Sequence, residues 1–84
     1  MRRIEHYEAM VTEIVRLLSE ERRRRKLSNY AISKRCGVSQ SMLSQVERGL
    51  RNPTLELILR ISDGIGADFP AIIKRAMKSS TPSK

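Results

Sequence analysis

Four neutral hydrogen-bonding side chains, Gln40, Ser41, Ser44 and Gln45, fall at spacings that bring them to one side of an α-helix. A primary amide donates and accepts through two adjacent atoms, which matches the N6 and N7 edge of adenine. A hydroxyl can bond several base edges or a phosphate. The set contains no carboxylate, so nothing in it repels a polyanion. Chemistry that makes or breaks bonds has no comparable foothold. The single histidine, His6, and the single cysteine, Cys36, are thirty residues apart. No metal-ligand spacing and no glycine-rich phosphate loop occurs, so neither an enzyme nor a metal or other cofactor is expected. Cys36 reads as a small apolar residue of a chain kept in a reducing cytoplasm.

The elements that must position those side chains are helices. Only 4% of the residues are aromatic and 39% are hydrophobic, so the core must be built from Ile, Leu, Val, Met and Ala. Ile4, Tyr7, Val11, Ile14, Val15 and Leu18 recur at helical spacing and predict a first helix from near residue 4 to Lys26. Ser28 caps a second helix that ends at Gly37. Ser39 opens a third, from Gln40 to about Arg48, closed by Gly49. Thr54 caps a fourth, Leu55 to about Asp63, whose buried face is Leu55, Leu57, Ile58, Ile61 and Ile65, with Gly64–Ile65–Gly66 ending it. Asp68 caps a fifth, with Phe69, Ile72, Ile73, Ala76 and Met77 turned inward. The expected architecture is therefore all-α: residues 1–78 as a single domain with a helix-turn-helix at 28–48, and residues 79–84 as a disordered polar tail.

The second and third helices are joined only by Gly37–Val38–Ser39, the tight glycine-containing turn of a helix-turn-helix. Ile32, Val38, Leu43 and Val46 are spaced to face the core, which leaves the amide and hydroxyl set outside. Charge supports a polyanionic partner. There are 17 Lys and Arg against 9 Asp and Glu, a formal net charge of +8. From Leu27 to Thr54 the only acid is Glu47, set against Lys34, Arg35, Arg48 and Arg51. The run Arg23–Lys26 scatters around a helix axis, so at most two of its cations, Arg25 and Lys26, would face that partner. No apolar run is long enough to span a bilayer. Glu5, Glu8 and Glu13 interrupt any signal-peptide stretch after Met1–Arg2–Arg3–Ile4. A membrane-surface role is disfavoured by the five acids of the first helix. RNA is disfavoured because an A-form major groove does not admit a helix and stacking aromatics are few.

With these motifs in place, the sequence resembles the phage-repressor (Cro-like, XRE) helix-turn-helix family. The resemblance runs from about Leu17 to Ile73. It rests on Arg22, Leu27-Ser-Asn, Gly37-Val-Ser, Leu43, Val46, Glu47 and Gly49, then Asn52-Pro-Thr-Leu and Ile61. It implies a five-helix, lambda-repressor-like domain that binds double-stranded operator DNA, ordinarily as a two-fold homodimer, and a role as a transcriptional regulator, expected to be a repressor. Gln40, Ser41, Ser44 and Gln45 fall on the family's base-reading positions. Asn29 and the loop Arg48 to Asn52 fall where the family meets phosphate. Ser39, Arg48, Arg51 and Asn52 join Asn29 as expected phosphate contacts, and Arg22 with Glu47 falls on the family's ion pair. Met42 stands where the family carries a small polar residue, so it either touches a thymine methyl or packs along the second helix. The first helix extends beyond the family's start. Ile4, Tyr7, Met10 and Val11 are expected to pack on the fifth helix, in the same chain or across a dimer. No small-molecule effector domain is expected in these residues. The competing reading is a protein-interaction adaptor or antitoxin that uses the same fold, with DNA binding secondary.

Overall fold

A computed structural model describes residues 3–80, with side chains from His6 to Ser79. Five α-helices follow in order: α1 Arg3–Arg24, α2 Asn29–Cys36, α3 Gln40–Glu47, α4 Leu55–Ile65 and α5 Phe69–Ser80. Among the described residues there is no strand. Capping chemistry sets the starts. The hydroxyls of Ser28, Ser39 and Thr54 accept from the backbone N–H of Ala31, Met42 and Leu57 at 3.0, 3.1 and 3.1 Å, and Asp68 Oδ1 accepts from Ala71 N–H at 3.3 Å.

The stops are of two kinds. Gly37, Gly49 and Gly66 adopt φ of 73°, 74° and 81°, the left-handed conformation that closes a helix most cheaply in glycine. The end of α1 uses the same geometry without glycine. Lys26 sits at φ 58°. Its N–H reaches Arg23 O at 2.9 Å, and Leu27 N–H reaches Arg22 O at 3.0 Å, the paired bonds of a Schellman turn. The helix thus ends at Arg24, two residues before the end expected from propensity.

The core draws on every helix: Ile14, Leu17 and Leu18 from α1, Ile32 from α2, Leu43 and Val46 from α3, Ile58, Ile61 and Ile65 from α4, and Ile72 and Ala76 from α5, with Val38 of the turn buried among them. Ile32 and Ile65 are the largest fully buried side chains. Each contributes roughly 1.5–3 kcal/mol through removal from water.

Three expected inward residues point out instead. Leu55 is 65% exposed, Met77 51% and Tyr7 55%. Leu55 opens α4 at its first position, where the helix has not yet reached the core. Met77 and Tyr7 lie near the ends of α5 and α1, where neighbouring helices run out. The long α1 packs against α5 of the same chain, with Met10, Val11 and Val15 half-buried; Ile4 lies outside the residues whose side chains are described. Helix α5 continues through Ser79 and Ser80, two residues into the segment expected to be a tail, and residues 81–84 lie outside those described.

Gly64 reads as a helix stop in the sequence, yet it lies inside α4 and is buried. A Cβ at Gly64 would stand 3.2 Å from Ile32 Cγ2 and 3.3 Å from Cys36 Cβ. Its role is close approach of α4 to α2, and Gly66 supplies the stop.

Candidate nucleic-acid interface

Helix α3 is seated by Leu43 and Val46, which are buried, and by its own N-cap at Ser39. Gln40 and Ser41 are exposed on the opposite side, and Ser44 and Gln45 are half-buried along it. Met42 is partly buried against the core, so it packs rather than projects.

The second fastening is electrostatic. Arg22 Nε donates to Glu47 Oε2 at 2.8 Å and Arg22 Nη2 donates to Glu47 Oε1 at 3.3 Å. Arg22 Nη1 donates to Leu27 O at 2.7 Å. The two side chains are only 15% and 20% exposed. One guanidinium therefore ties the end of α1, the turn into α2 and the end of α3 together in a fork geometry. It also neutralises the one carboxylate between Leu27 and Thr54, so the segment facing outward carries no unpaired acid. Arg23 Nη2 approaches the same carboxylate at 3.9 Å.

After α3 the chain folds back over it. Gly49 N–H bonds Val46 O at 3.1 Å, and Leu50 N–H bonds Gln45 O at 2.8 Å. This reversal carries Arg51 and Asn52 back beside the turn at the N-terminal end of α3. There they line an open groove with Gly37, Val38, Ser39, Met42, Thr54, Leu57 and the ion pair Glu56–Arg60. Of the expected phosphate contacts, Ser39, Arg51 and Asn52 are thus gathered along one groove. Arg48 is exposed at the end of α3; its N–H bonds Ser44 O at 3.0 Å, and among the described residues none pairs with its guanidinium. Asn29, half-buried at the first position of α2, stands apart from that groove. It borders a core cavity of about 20 Å³ together with Ser19, Arg22 and Glu47, space for little more than one water.

Within the face, Arg51 Nε donates to Gln45 Oε1 at 3.1 Å and Gln45 Nε2 donates to Ser41 Oγ at 3.4 Å.

The other cations go elsewhere. Arg24 bonds Glu21. Arg25 Nε donates to Glu21 Oε2 at 2.7 Å, and its Nη1 reaches Ile65 O at 3.2 Å. Arg35 Nη1 donates to Gly64 O at 3.1 Å. Helix α4 has no basic residue in its own last turn. Its orphan carbonyls and negative dipole end are served by Arg25, just past the end of α1, and Arg35 of α2. In the same way Arg60 Nη1 reaches Cys36 O, at the end of α2, at 3.3 Å. Sequence reasoning missed these three contacts. The partners are 40, 29 and 24 residues apart, and no local spacing signals them. Lys34 lies 5.4 Å from the centre of the Tyr30 ring, within reach of a cation–π contact.

Among the described residues no group of three His, Cys, Asp or Glu is placed to hold a metal ion. None of the described helices is long and apolar enough to cross a membrane.

A helix-turn-helix family model matches residues 18–72. That stretch holds the last third of α1, all of α2, α3 and α4, and the start of α5. No curated protein and no solved structure gives a significant match to the chain. With five helices in this order, the α2–turn–α3 pair at the centre and the family match spanning most of the fold, the chain belongs to the XRE-type (Cro-like) helix-turn-helix family of DNA-binding transcriptional regulators.

Proposed function

We propose that the protein is a sequence-specific repressor that lays α3 in the major groove of double-stranded DNA, acting in the cytoplasm as a homodimer. Gln40, Ser41, Ser44 and Gln45 read base edges. Asn29, Ser39, Arg48, Arg51 and Asn52 hold the phosphates on either side. The observation that carries the reading is the exposed, acid-free side of α3, whose own carboxylate, Glu47, is already bonded to Arg22; the Glu56 carboxylate on the adjoining groove is bonded to Arg60. Backbone contacts fix register and base edges supply specificity, and this face offers both kinds side by side. Leu55 and Leu59, one turn apart on the outer side of α4 and 65% and 46% exposed, favour a second reading, in which the domain works chiefly as an adaptor or antitoxin.

Selection of bound duplexes from a random pool, followed by affinity against salt, tests the first reading. An enriched inverted repeat with half-sites about 10 bp apart and a steep salt slope is the expected result. Salt-sensitive binding without an enriched sequence would overturn it in favour of the adaptor.

A further inference from the structure

Gln45 has two half-satisfied ends. Its Oε1 accepts from Arg51 Nε at 3.1 Å, and its Nε2 donates to Ser41 Oγ at 3.4 Å. A glutamine amide on an open helix face has two orientations, related by a half-turn, that exchange donor and acceptor. Here the exchange is blocked on electrostatic grounds. A flipped amide would turn its NH2 group toward a guanidinium, which has donors and no acceptor. The cation is itself placed by the backbone. Leu50 N–H bonds Gln45 O at 2.8 Å, so the loop carrying Arg51 is latched to the very residue whose side chain Arg51 meets. Arg51 also borders the grooves on both flanks of this loop. It spends one of its five donors on Gln45, and the rest remain for phosphate.

From this geometry we infer that Arg51 is a positioning residue for base recognition: it holds the Gln45 amide with the oxygen toward the loop and the nitrogen toward Ser41, and so sets which base that glutamine prefers. The inference rests on the reading of α3 as the base-reading helix and extends it. A pure phosphate contact would weaken binding to every sequence alike. A positioning contact also flattens one operator position. With the amide held, its remaining N–H and lone pair meet an adenine edge in a single arrangement. Released, the amide meets several edges about equally well, and preorganisation is lost.

The test is duplex selection with the wild type, Arg51→Ala, Gln45→Ala and the double variant, together with 15N relaxation of the Gln45 side-chain amide in the free protein. Arg51→Ala is expected to lose affinity overall. It should also lower discrimination about fivefold at the position that Gln45→Ala erases, within the range one bidentate base contact supplies. Preferences elsewhere should be kept, and the double variant, though weaker in overall affinity, should match the base profile of Gln45→Ala. In the free protein the Gln45 amide should become more mobile in Arg51→Ala. A base profile for Arg51→Ala that superimposes on the wild type, or an amide equally mobile with and without Arg51, overturns the positioning role while leaving DNA reading intact. An amide ordered by Arg51 in a wild type that enriches no sequence overturns the base-reading assignment of α3, and this inference with it.

Discussion

Two basic regions of the molecule behave oppositely. Residues Arg22–Lys26 are the densest run of positive charge in the chain, yet four of the five already have partners within the chain: Arg22 with Glu47 and Leu27 O, Arg23 beside Glu47, Arg24 with Glu21, and Arg25 with Glu21 and Ile65 O. The segment around α3 has far fewer cations, but Arg48 is unpaired among the described residues and Arg51 meets only a neutral amide. Charge density along a sequence is therefore a poor guide to charge available for a polyanion. What counts is how many carboxylates and carbonyl ends the fold brings to each cation. The first region works as a fastener and the second as a contact surface.

The largest effect expected from this division is at Glu47. Truncation by Glu47→Ala strands the Arg22 guanidinium between α1 and α3. Breaking a mostly buried pair from one side is costly. Because these side chains keep 15% and 20% exposure, the expected loss is moderated to about 2 kcal/mol. For a domain of this size that lowers the melting temperature by on the order of 10 °C, to be read by thermal unfolding. A melting point unchanged within a degree or two would break the comparison, since Arg22 would then be no more fastened than a surface cation.

Next in size are the contacts themselves. Arg48→Ala and Arg51→Ala are each expected to weaken DNA binding about tenfold and to reduce the slope of log affinity against log salt by about one. Arg24→Ala, which removes the same charge from the fastening region, should leave that slope within a few tenths of the wild type. Filter binding or anisotropy between low and moderate salt separates the cases. Equal slopes for all three variants would show that position in the fold does not matter and that net charge alone draws the protein to DNA.

The two regions also differ in how far the sequence reveals them. Helix-turn-helix features are local: Ser28 and Ser39 cap, Gly37 and Gly49 stop, and Leu43 and Val46 face inward, all at spacings of a few residues. The fastening region mixes local pairs, Arg24 and Arg25 with Glu21 three and four residues away, with contacts between distant segments. Arg25 reaching Ile65 O and Arg35 reaching Gly64 O have no sequence signature. Gly64 misleads because glycine marks both helix ends and close helix packing, and only the packing of α2, which would leave a Cβ there 3.2 Å from Ile32 Cγ2, distinguishes them. Leu55 misleads because apolar periodicity counts residues at a helix start that the core does not reach. The Arg51–Gln45 bond escapes because the two residues belong to different elements, brought together by the reversal at Gly49.

A third, smaller effect concerns the exit from α1. Lys26 pays for its φ of 58° in a conformation that glycine adopts without a Cβ clash. Lys26→Gly is expected to raise stability by about 1 kcal/mol, measured as a shift in the urea midpoint with an unchanged slope. If Lys26 serves the DNA, the same variant would also lose salt slope. Lys26 is the one cation of the run Arg22–Lys26 whose charge has no partner among the described residues, so a lost slope beside the gained stability is the expected outcome, and an unchanged slope would show that a free charge outside the α3 face does not serve DNA.

The smallest effect reports on pH. Bonds from Arg24 first, then Arg25, hold the Glu21 carboxyl below its ordinary range. A carboxyl whose folded pKa is depressed stabilises the protein above its unfolded pKa. That contribution disappears as pH falls from the ordinary carboxylate value, near 4.3, through the lower folded value. Glu21→Gln removes the charge and keeps the shape. At neutral pH it should cost a few tenths of a kcal/mol, as solvent-screened helix-spaced pairs do, and the gap from the wild type should close as the solution is acidified toward pH 3. Urea midpoints at pH 7, 5 and 3 follow the gap. A gap that stays constant down to pH 3 would mean that Glu21 acts through packing. Arg24 and Arg25 would then not be neutralised by it, and the fastening region would have two charges to offer DNA after all.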